Sequence, residues 1–250
     1  MYQEIYDIAG HIIKIESIYK RVHHLCCEYR CNKSPELFIF INYEDIIKEQ
    51  QISARNDKKA GRLIQNYSED YLETLAVYRK LSEQLIEYDI VLFHGSVVAV
   101  DGIGYLFIAN SGTGKSTHTK LWMEQFKERA VMINDDKPLL KITESGILAY
   151  GTPWDGKHHR STNTVVPLKV ICLLHRAEEN YVEKAEKYSI YPMILQQIYR
   201  PTDEEKLKKT LSLFDRLLTR VELYSLYCNM EPEAAMVAYR EMNQKQENKK

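Results

Sequence analysis

The chain has 250 residues, of which 44% are hydrophobic, and its formal net charge is -1. This length and apolar content suffice for one good-sized domain, or a domain with a small appendage, and they exclude a largely disordered chain. The near-zero charge gives no electrostatic support for binding nucleic acid or membranes. No apolar run reaches the ~20 residues of a membrane span, and the first residues lack the basic and apolar regions of a signal peptide, so we expect a cytoplasmic protein.

The cysteines do not suggest a disulfide framework, because their number is odd and the chain is long. An alternative interpretation is a metal site in the segment His23-His24-x-Cys26-Cys27-x-x-x-Cys31. Structural zinc sites usually need a second, separated pair of ligands, and none is evident in the sequence. We therefore expect these side chains to pack as small core residues.

Residues 1–70 are predicted to form a small β-rich N-terminal unit. Its strand signals are the short β-prone segments Ile12 to Ile15 and Leu37 to Ile41. The polar stretch from Gln50 to Gly61 is typical of a loop between units. The unit carries no catalytic signature, and we expect it to serve as a cap or as the surface of a homo-oligomer.

A second domain is predicted over residues 71–242, followed by a frayed polar tail at 243–250. It opens with an amphipathic helix from Tyr71 to Tyr88, whose apolar residues recur at three- and four-residue spacing. A strand over Ile90 to Phe93 follows. Two further strands, Val97 to Val100 and Tyr105 to Ala109, flank the Asp101-Gly102 hairpin signal.

The return strand of this hairpin leads into a glycine-bearing turn and then a helix predicted from Lys115 to Phe126. This is the order of a phosphate-binding loop, although Ala109 stands where the strict G-x-x-x-x-G-K-[ST] motif has its first glycine. Backbone N–H groups and the positive end of the helix can hold the phosphates of ATP. Lys115 can reach the outer phosphates, and the Ser116 hydroxyl can ligate Mg²⁺. The candidate nucleotide-binding residues are Asn110, Ser111, Gly112, Thr113, Gly114, Lys115, Ser116 and Thr117.

A buried strand over Val131 to Asn134 ends in two adjacent acids, Asp135 and Asp136. Nucleotide enzymes hold Mg²⁺ at such a strand end beside the phosphate loop. The alternative, an ordinary turn and an unrelated acidic strand end, requires both signals to be coincidental. Phosphoryl transfer needs a carboxylate near Mg²⁺ and a base near the nucleophile, and spacing alone leaves open which aspartate does which.

The order His94-Gly95-Ser96, hydrophobic hairpin, Ser-Gly-x-Gly-Lys-Ser and Asp-Asp resembles the catalytic domain of HPr kinase/phosphorylase. It is also similar to the nucleotide half of ATP-dependent phosphoenolpyruvate carboxykinase. The resemblance covers about residues 90 to 175. It implies an α/β fold of that type, with a mixed sheet and flanking helices, and the use of ATP and Mg²⁺.

Carried over by position, the resemblance gives phosphate binding to Lys115, metal binding to Ser116 and Asp135, and an active-site role to His94. It puts the role of base on Asp136, which would take the proton from the acceptor hydroxyl. The Arg-Gly-Leu-Gly signature of true HPr kinases is absent from the sequence. HPr as the substrate and the reverse reaction are therefore not carried over.

The segment Tyr150 to Arg160 stands in place of that signature and contains four potential cations in a row, Lys157 to Arg160. We predict that its loop closes over the γ-phosphate or an acidic acceptor, with Lys157 or Arg160 neutralising transition-state charge. The alternatives are a solvated basic turn and a metal site at His158 and His159. Arg176 and Arg200 are further candidates for an arginine finger.

The sequence thus predicts a kinase that transfers the γ-phosphoryl group of ATP to a hydroxyl of a small molecule or of a peptide or protein serine. Its expected catalytic residues are Asp136, His94, Lys115 and Arg160. The alternative is an ATP-binding regulatory protein that changes shape without transferring phosphate. A carboxykinase-like enzyme is a third interpretation, for which the short chain leaves little room.

Overall fold

The computed structural model describes residues 1–59, 61–110, 112–156 and 159–244, and these form two compact units, Met1–Glu87 and Tyr88–Lys250. The division falls later than the predicted boundary at residue 70. The helix predicted over Tyr71 to Tyr88 lies in the N-terminal unit, where it packs against the other helices of that unit. The predicted phosphate-loop residue Ser111 and most of the predicted polar tail lie outside the described residues.

In the residues that the structure describes, the N-terminal unit has a three-stranded sheet and three α-helices: β1 Tyr2–Ile8, β2 His11–Ser17, α1 Arg21–Leu25, β3 Leu37–Phe40, α2 Tyr43–Lys59 and α3 Glu69–Leu85. β1 pairs with β2 antiparallel, and β2 pairs with β3 parallel. His23 is buried at its centre, where the Tyr6 hydroxyl contacts Nδ1 at 2.6 Å and the Ser17 hydroxyl contacts Nε2 at 2.8 Å. Both ring nitrogens are therefore engaged by the protein.

The prediction of a loop from Gln50 to Gly61 is wrong, because most of these residues belong to helix α2. The helix has few apolar residues, so its hydrophobic period is weak. Its start is fixed by a reciprocal cap, in which the Asn42 side chain accepts from the Asp45 N–H and Asp45 accepts from the Asn42 N–H, both at 3.0 Å. Buried Glu49 pairs with Arg79 of α3. The helix is held by polar contacts that hydrophobic periodicity does not reveal.

The second unit contains nine strands and four helices in its described residues: β4 Ile90–Leu92, β5 Ser96–Val100, β6 Ile103–Ile108, α4 Lys115–Phe126, β7 Ala130–Asn134, β8 Leu139–Ile142, β9 Ile147–Tyr150, β10 Val165–Arg176, β11 Tyr181–Lys184, α5 Lys187–Gln197, α6 Glu204–Leu218, β12 Glu222–Cys228 and α7 Glu233–Asn243. The helix predicted from Lys115 to Phe126 is present. Within the described parts of the chain, no helix has the length and apolar run needed to cross a bilayer.

The strands form one mixed sheet in which β10 joins two parts. The start of β10 pairs antiparallel with β9, which continues through β8 to β4. Its second half lies between β6 and β12, parallel to both. β5 pairs antiparallel with β6 and with β7, and β11 lies outside β12. The α/β class, the mixed sheet with flanking helices and the separate N-terminal sheet are confirmed.

One face of this sheet packs against α4 and α7 through a cluster rich in aromatic residues. Trp122 and Phe126 of α4 contact Phe107 of β6 and Tyr239 of α7, with ring centroids 4.7–5.9 Å apart. Aromatic pairs at such distances add to the stability given by burial alone. The helix that follows the predicted phosphate loop is therefore fixed to the strand that precedes this loop.

His118 lies in this cluster, 3% exposed, and its Nε2 accepts a hydrogen bond from Trp122 Nε1 at 2.9 Å. Nδ1 therefore carries the proton, and no partner for it is present in the described residues. Burial lowers the pKa of His118 to about 4, from an ordinary value of 6.5. The folded protein thus favours the neutral ring.

We expect this ring to make stability depend on pH. Below pH 6.5 the His118 ring of the unfolded chain becomes protonated, whereas the same ring in the folded chain stays neutral down to about pH 4. The free energy of unfolding therefore falls as the pH falls through this window, by about 2 kcal/mol between pH 7 and pH 5. The pH dependence of stability is measured by urea unfolding at several pH values, monitored by the fluorescence of the two tryptophans, both of which lie in the second unit. His118→Gln should lose most of this dependence. Equal pH slopes in the two proteins would contradict the prediction, since His23 contributes alike to both.

Candidate functional site

Four strand ends meet at one edge of the sheet. β10 is parallel to β6 and to β12, and β7 is also parallel to β6 because β5 runs antiparallel to both. The predicted phosphate loop follows β6, and Asp135 and Asp136 follow β7. Crevices at the carboxyl ends of parallel strands are the usual ligand sites of such sheets. The predicted loop and the predicted acids therefore share one edge, with the start of β5 between them.

The described part of the phosphate loop has left-handed backbone at its two glycines. Gly112 has φ 79° and Gly114 has φ 111°, conformations that favour glycine. Ala109, at the place of the first motif glycine, is instead buried in the cluster beneath α4 and does not have positive φ. The departure from the strict motif is therefore compatible with this loop, because the left-handed positions lie further along.

Helix α4 begins at Lys115 with no side-chain cap on its first turn. The N–H groups of that turn, together with the positive end of the helix, form a setting for an anion. Burial lowers the pKa of Lys115, and the carboxylates of Asp136 and Asp135 partly oppose this effect. Among the other candidates of the loop, Asn110, Gly112, Ser116 and Thr117 are exposed to solvent.

Arg176, at the end of β10, holds the loop from outside. Its guanidinium donates to the carbonyl oxygens of Gly112 and Thr113, the latter at 3.2 Å. Both acceptors belong to the loop backbone, so the side chain is occupied in fixing the loop. Its predicted part as an arginine finger would require breaking these bonds.

His94 and Asp136 lie side by side at the neighbouring end of β7. The segments that carry His94 and Asp136 are joined by two backbone hydrogen bonds: the Phe93 N–H donates to Pro138 O at 3.1 Å, and the Gly95 N–H donates to Asp136 O at 2.9 Å. His94 Nε2 is 3.2 Å from Asp136 Oδ1. A Cβ on Gly95 would lie 2.7 Å from a methyl carbon of Leu106 and 3.0 Å from Phe107 O, so any side chain here would force Leu106 to move.

The charges around Asp136 keep it ionised. Burial alone would raise the pKa of this carboxyl, but the His94 hydrogen bond and the charges of Lys137, His94 and Lys115 hold it well below its usual range. Lys137 Nζ is 3.3 Å from Asp136 Oδ2. Each carboxylate oxygen therefore has a cationic or hydrogen-bonding neighbour.

Asp135 is held by a different partner. It is 6% exposed, and Ser96 Oγ is placed to donate to its Oδ1 at 2.9 Å and to its main-chain oxygen at 2.8 Å. Among the described residues no hydrogen-bond partner is found for Oδ2. The serine of the His94-Gly95-Ser96 segment thus orients one acid while the histidine contacts the other.

Sequence reasoning missed the residues that set the backbone of the two acids. Buried Asn134 accepts the N–H of Asp136 at 2.9 Å and of Lys137 at 2.5 Å, while its amide donates to Thr152 O at 3.1 Å and Oγ1 at 3.0 Å. Thr152 Oγ1 is in turn 2.8 Å from Lys137 O. An Asn at a strand end is a known turn signal, and it could have indicated this arrangement.

The segment that follows β9 is buried at first and exposed later. Residues 151–155 are buried, whereas Gly156, His159 and Arg160 are exposed. A Cβ on Gly156 would lie 3.1 Å from Asp136 Cβ, so this loop packs directly on that side chain. Buried Asp155 accepts from Ser161 Oγ at 3.0 Å and lies 3.2 Å from His159 Nδ1.

Of the four predicted cations of this loop, the structure describes only His159 and Arg160. A backbone bridge between Asn134 and Ser161 brings the segment that contains Arg160 back to the end of β7. Lys157 and His158 lie outside the described residues. Arg200 is exposed. The segment before it pairs with β4, because the His94 N–H donates to Gln197 O and the Tyr199 N–H donates to Leu92 O, so the chain runs from His94 towards the start of β4. The structure thus brings Arg160 to this edge and leads Arg200 away from it.

No protein-family model matches the sequence, and no curated protein does. Among solved structures, the chain is similar to the Hpr(Ser) kinase/phosphatase from Coxiella burnetii. The identity is 8%, the TM-score is 0.35, and the match covers 60% of this chain and 95% of that chain. Values this low do not establish a shared function or a correspondence of residues.

The oxygen-rich acids at this edge suit a hard cation better than a transition metal. In the described residues there is no cluster of three or more His, Cys, Asp and Glu side chains placed to hold a metal ion. Mg²⁺ commonly needs only one or two carboxylates, with water and phosphate oxygens completing its coordination. The arrangement is therefore chemically suited to a cation that arrives with a phosphate.

Proposed function

We propose that the protein is an ATP-dependent kinase that transfers the γ-phosphoryl group to a hydroxyl of a small molecule or of a peptide or protein serine. The observation that supports this most is the meeting of three groups at one sheet edge. These are the start of α4 with Lys115, the buried acid Asp135, and the His94–Asp136 pair. Together they offer a phosphate cradle, a cation ligand and a proton acceptor.

In this proposal the phosphates of ATP lie against the turn from Asn110 to Thr117. The left-handed Gly112 and Gly114 allow the turn to direct backbone N–H groups at an anion, and α4 adds its positive end. Lys115 is a cation in a partly buried position, where its charge gains strongly from a phosphate partner. Arg176 keeps the turn in place through the backbone.

Mg²⁺ would be held by Ser116 and Asp135, and when bound it supplies charge neutralisation for the phosphates. Asp135 fits this role because Ser96 fixes Oδ1 and the other oxygen remains as a ligand. Ser116 is exposed in the first turn of α4. Both ligands are oxygen atoms, which is the donor type that Mg²⁺ prefers.

Asp136 is proposed as the base. The bond that forms joins the acceptor oxygen to the γ-phosphorus, the bond that breaks releases ADP, and the hydroxyl proton passes to Asp136. The low pKa of this carboxyl keeps it ionised, so it orients the hydroxyl first and receives the proton as the new bond forms. His94 positions the carboxylate, and Arg160 would neutralise charge on the transferring group.

The test is acceptor-dependent phosphate transfer. The protein is incubated with γ-labelled ATP, Mg²⁺ and panels of serine, hydroxyl metabolites and serine peptides, and labelled products are separated. We expect ADP release to rise in step with label on one acceptor class. Saturable ATP binding with no transfer to any member of the panels would instead favour the ATP-binding regulatory protein.

A further inference from the structure

Three aromatic rings are stacked across neighbouring strands of the second unit. His175 of β10 stacks on Tyr227 of β12, and Tyr227 stacks on Tyr181 of β11. Both pairs have ring centroids 4.6 Å apart, with interplanar angles of 15° and 9°. The strand register places each ring directly opposite the next. We call these three residues the ring stack.

The ring stack is not part of the hydrophobic core. Tyr181 is 44% exposed, and His175 and Tyr227 are partly exposed. Because the rings stack face to face, Tyr227 is covered on both faces, and a further ring can extend the row only at the outer face of His175 or of Tyr181. Neither the fold nor the proposed phosphate transfer uses it.

The ring stack lies at the edge that carries the phosphate loop. His175 and Tyr227 are the penultimate residues of β10 and β12, whose ends lie on the same side as that of β6. Arg176, the next residue after His175, donates to the carbonyls of Gly112 and Thr113. The backbone of the ring stack is therefore joined to the loop through one side chain.

The sheet order gives the two sides of the loop different chemistry. On one side of β6 lies β5 and then β7, which is followed by the two aspartates. On the other side of β6 lie β10, β12 and β11, which carry the ring stack. The γ-phosphate in the proposed function faces Lys115 and the aspartates. The opposite end of the nucleotide then extends towards the ring stack.

The charge near the ring stack suits an uncharged group. The turn after β10 carries exposed Glu178 and Glu179, which disfavour further phosphate on this side. The turn is fixed to the one after β12, because Asn180 and Asn229 exchange hydrogen bonds at 3.0 and 3.1 Å. The two joined turns carry no cation of their own that would favour phosphate, and the neighbouring rings suit a flat neutral ring.

We propose that the ring stack is the platform for the nucleobase of the bound nucleotide, which extends the row on the outer face of His175, the ring next to β6. The inference rests on the proposed nucleotide site and adds to it the part that recognises the base. Stacking depends on ring area more than on hydrogen-bond pattern, so we expect a preference for purine over pyrimidine nucleotides. In this arrangement the base and the phosphates of one nucleotide are recognised at different places along the same sheet edge.

The test compares ATP with inorganic tripolyphosphate, which has the phosphates but no base. Calorimetry with Mg²⁺ measures both affinities for the wild type, Tyr227→Ala, His175→Ala and Tyr227→Phe, with Tyr188→Ala as a control at an exposed tyrosine of α5. We expect both alanine variants of the ring stack to weaken ATP binding roughly tenfold to a hundredfold. Tripolyphosphate binding should stay within about twofold, and the Phe and Tyr188 variants should resemble the wild type.

The outcomes are distinguishable. If the wild type binds ATP no more tightly than tripolyphosphate, or if both alanine variants keep full ATP affinity, the ring stack is not the platform. Loss of both ligands in His175→Ala and in Tyr227→Ala would also overturn the inference, since it would show damage to the loop. If the wild type binds neither ligand, the proposed function fails first.

Discussion

Asp136→Asn is expected to lower the rate of phosphate transfer by about two to four orders of magnitude, since general-base catalysis contributes on that scale. The amide has nearly the same shape as the carboxylate, but it cannot take the acceptor proton. ATP binding should persist, because the substitution removes a negative charge beside Lys115 and Lys137. The predicted signature is therefore a large fall in kcat with an unchanged or lower KM for ATP.

The measurement is steady-state transfer to the acceptor found by the labelling screen, at saturating ATP and Mg²⁺. Asp101→Asn is the matched control, because it makes the same chemical change at an exposed carboxylate that pairs with Arg129 at the hairpin turn. An Asp136→Asn protein with full turnover would refute the assigned base. Loss of activity in Asp101→Asn as well would point to a general loss of structure.

Gly151→Ala is expected to destabilise the second unit by about 3 kcal/mol or more, because overpacking costs most where backbone cannot move. A Cβ at this position would lie 2.0 Å from Thr162 O and 2.7 Å from Ile133 O. Both atoms are backbone, and Thr162 N–H is itself bonded to Ile133 O at 3.2 Å. The clash would push apart β7 and the segment that returns past it.

Urea unfolding monitored by tryptophan fluorescence measures this loss. Gly102→Ala provides the control, since a Cβ there meets no atom within 4 Å and only its φ of 78° is strained. That strain should cost about 1 kcal/mol. If the two variants unfold at the same urea concentration, the close packing around Gly151 is not a determinant of stability.

The local elements of the loop region could be predicted from the sequence with little error. The helix predicted from Lys115 to Phe126 has those bounds, and the hairpin at Asp101-Gly102 is present with antiparallel strands. These features follow from short-range signals, namely glycine turns, apolar runs and the helix period. Such signals act within a few residues, so one sequence contains them in full.

The contacts between distant segments could not be predicted in the same way. Arg176 binding the carbonyls of Gly112 and Thr113, and Asn134 binding Thr152, depend on which strands pair and in what register. Local sequence does not encode strand order across a mixed sheet. The resemblance suggested that His94 lies near the acids, but residue spacing does not give the contact with Asp136.

The error at α2 has a different cause. The helix is polar, and its start depends on the Asn42–Asp45 reciprocal cap rather than on an apolar stripe. Asn followed three residues later by an acid was a readable helix-start signal. The buried pair of Glu49 with Arg79 of α3 was not readable, since its partner lies on another helix.

Nucleotide binding at the phosphate loop is the central claim, and thermal unfolding tests it most directly. Wild type, Lys115→Ala and Lys120→Ala are heated alone, with Mg²⁺ and with Mg²⁺ plus ATP or ADP. Lys120 is the matched control, because it is an exposed lysine of the same helix that pairs with Glu124. A nucleotide at about 100 times its Kd adds about 2.7 kcal/mol of stability. We predict a raised midpoint in wild type and Lys120→Ala that is lost in Lys115→Ala; an unchanged midpoint in wild type with every nucleotide would contradict the account.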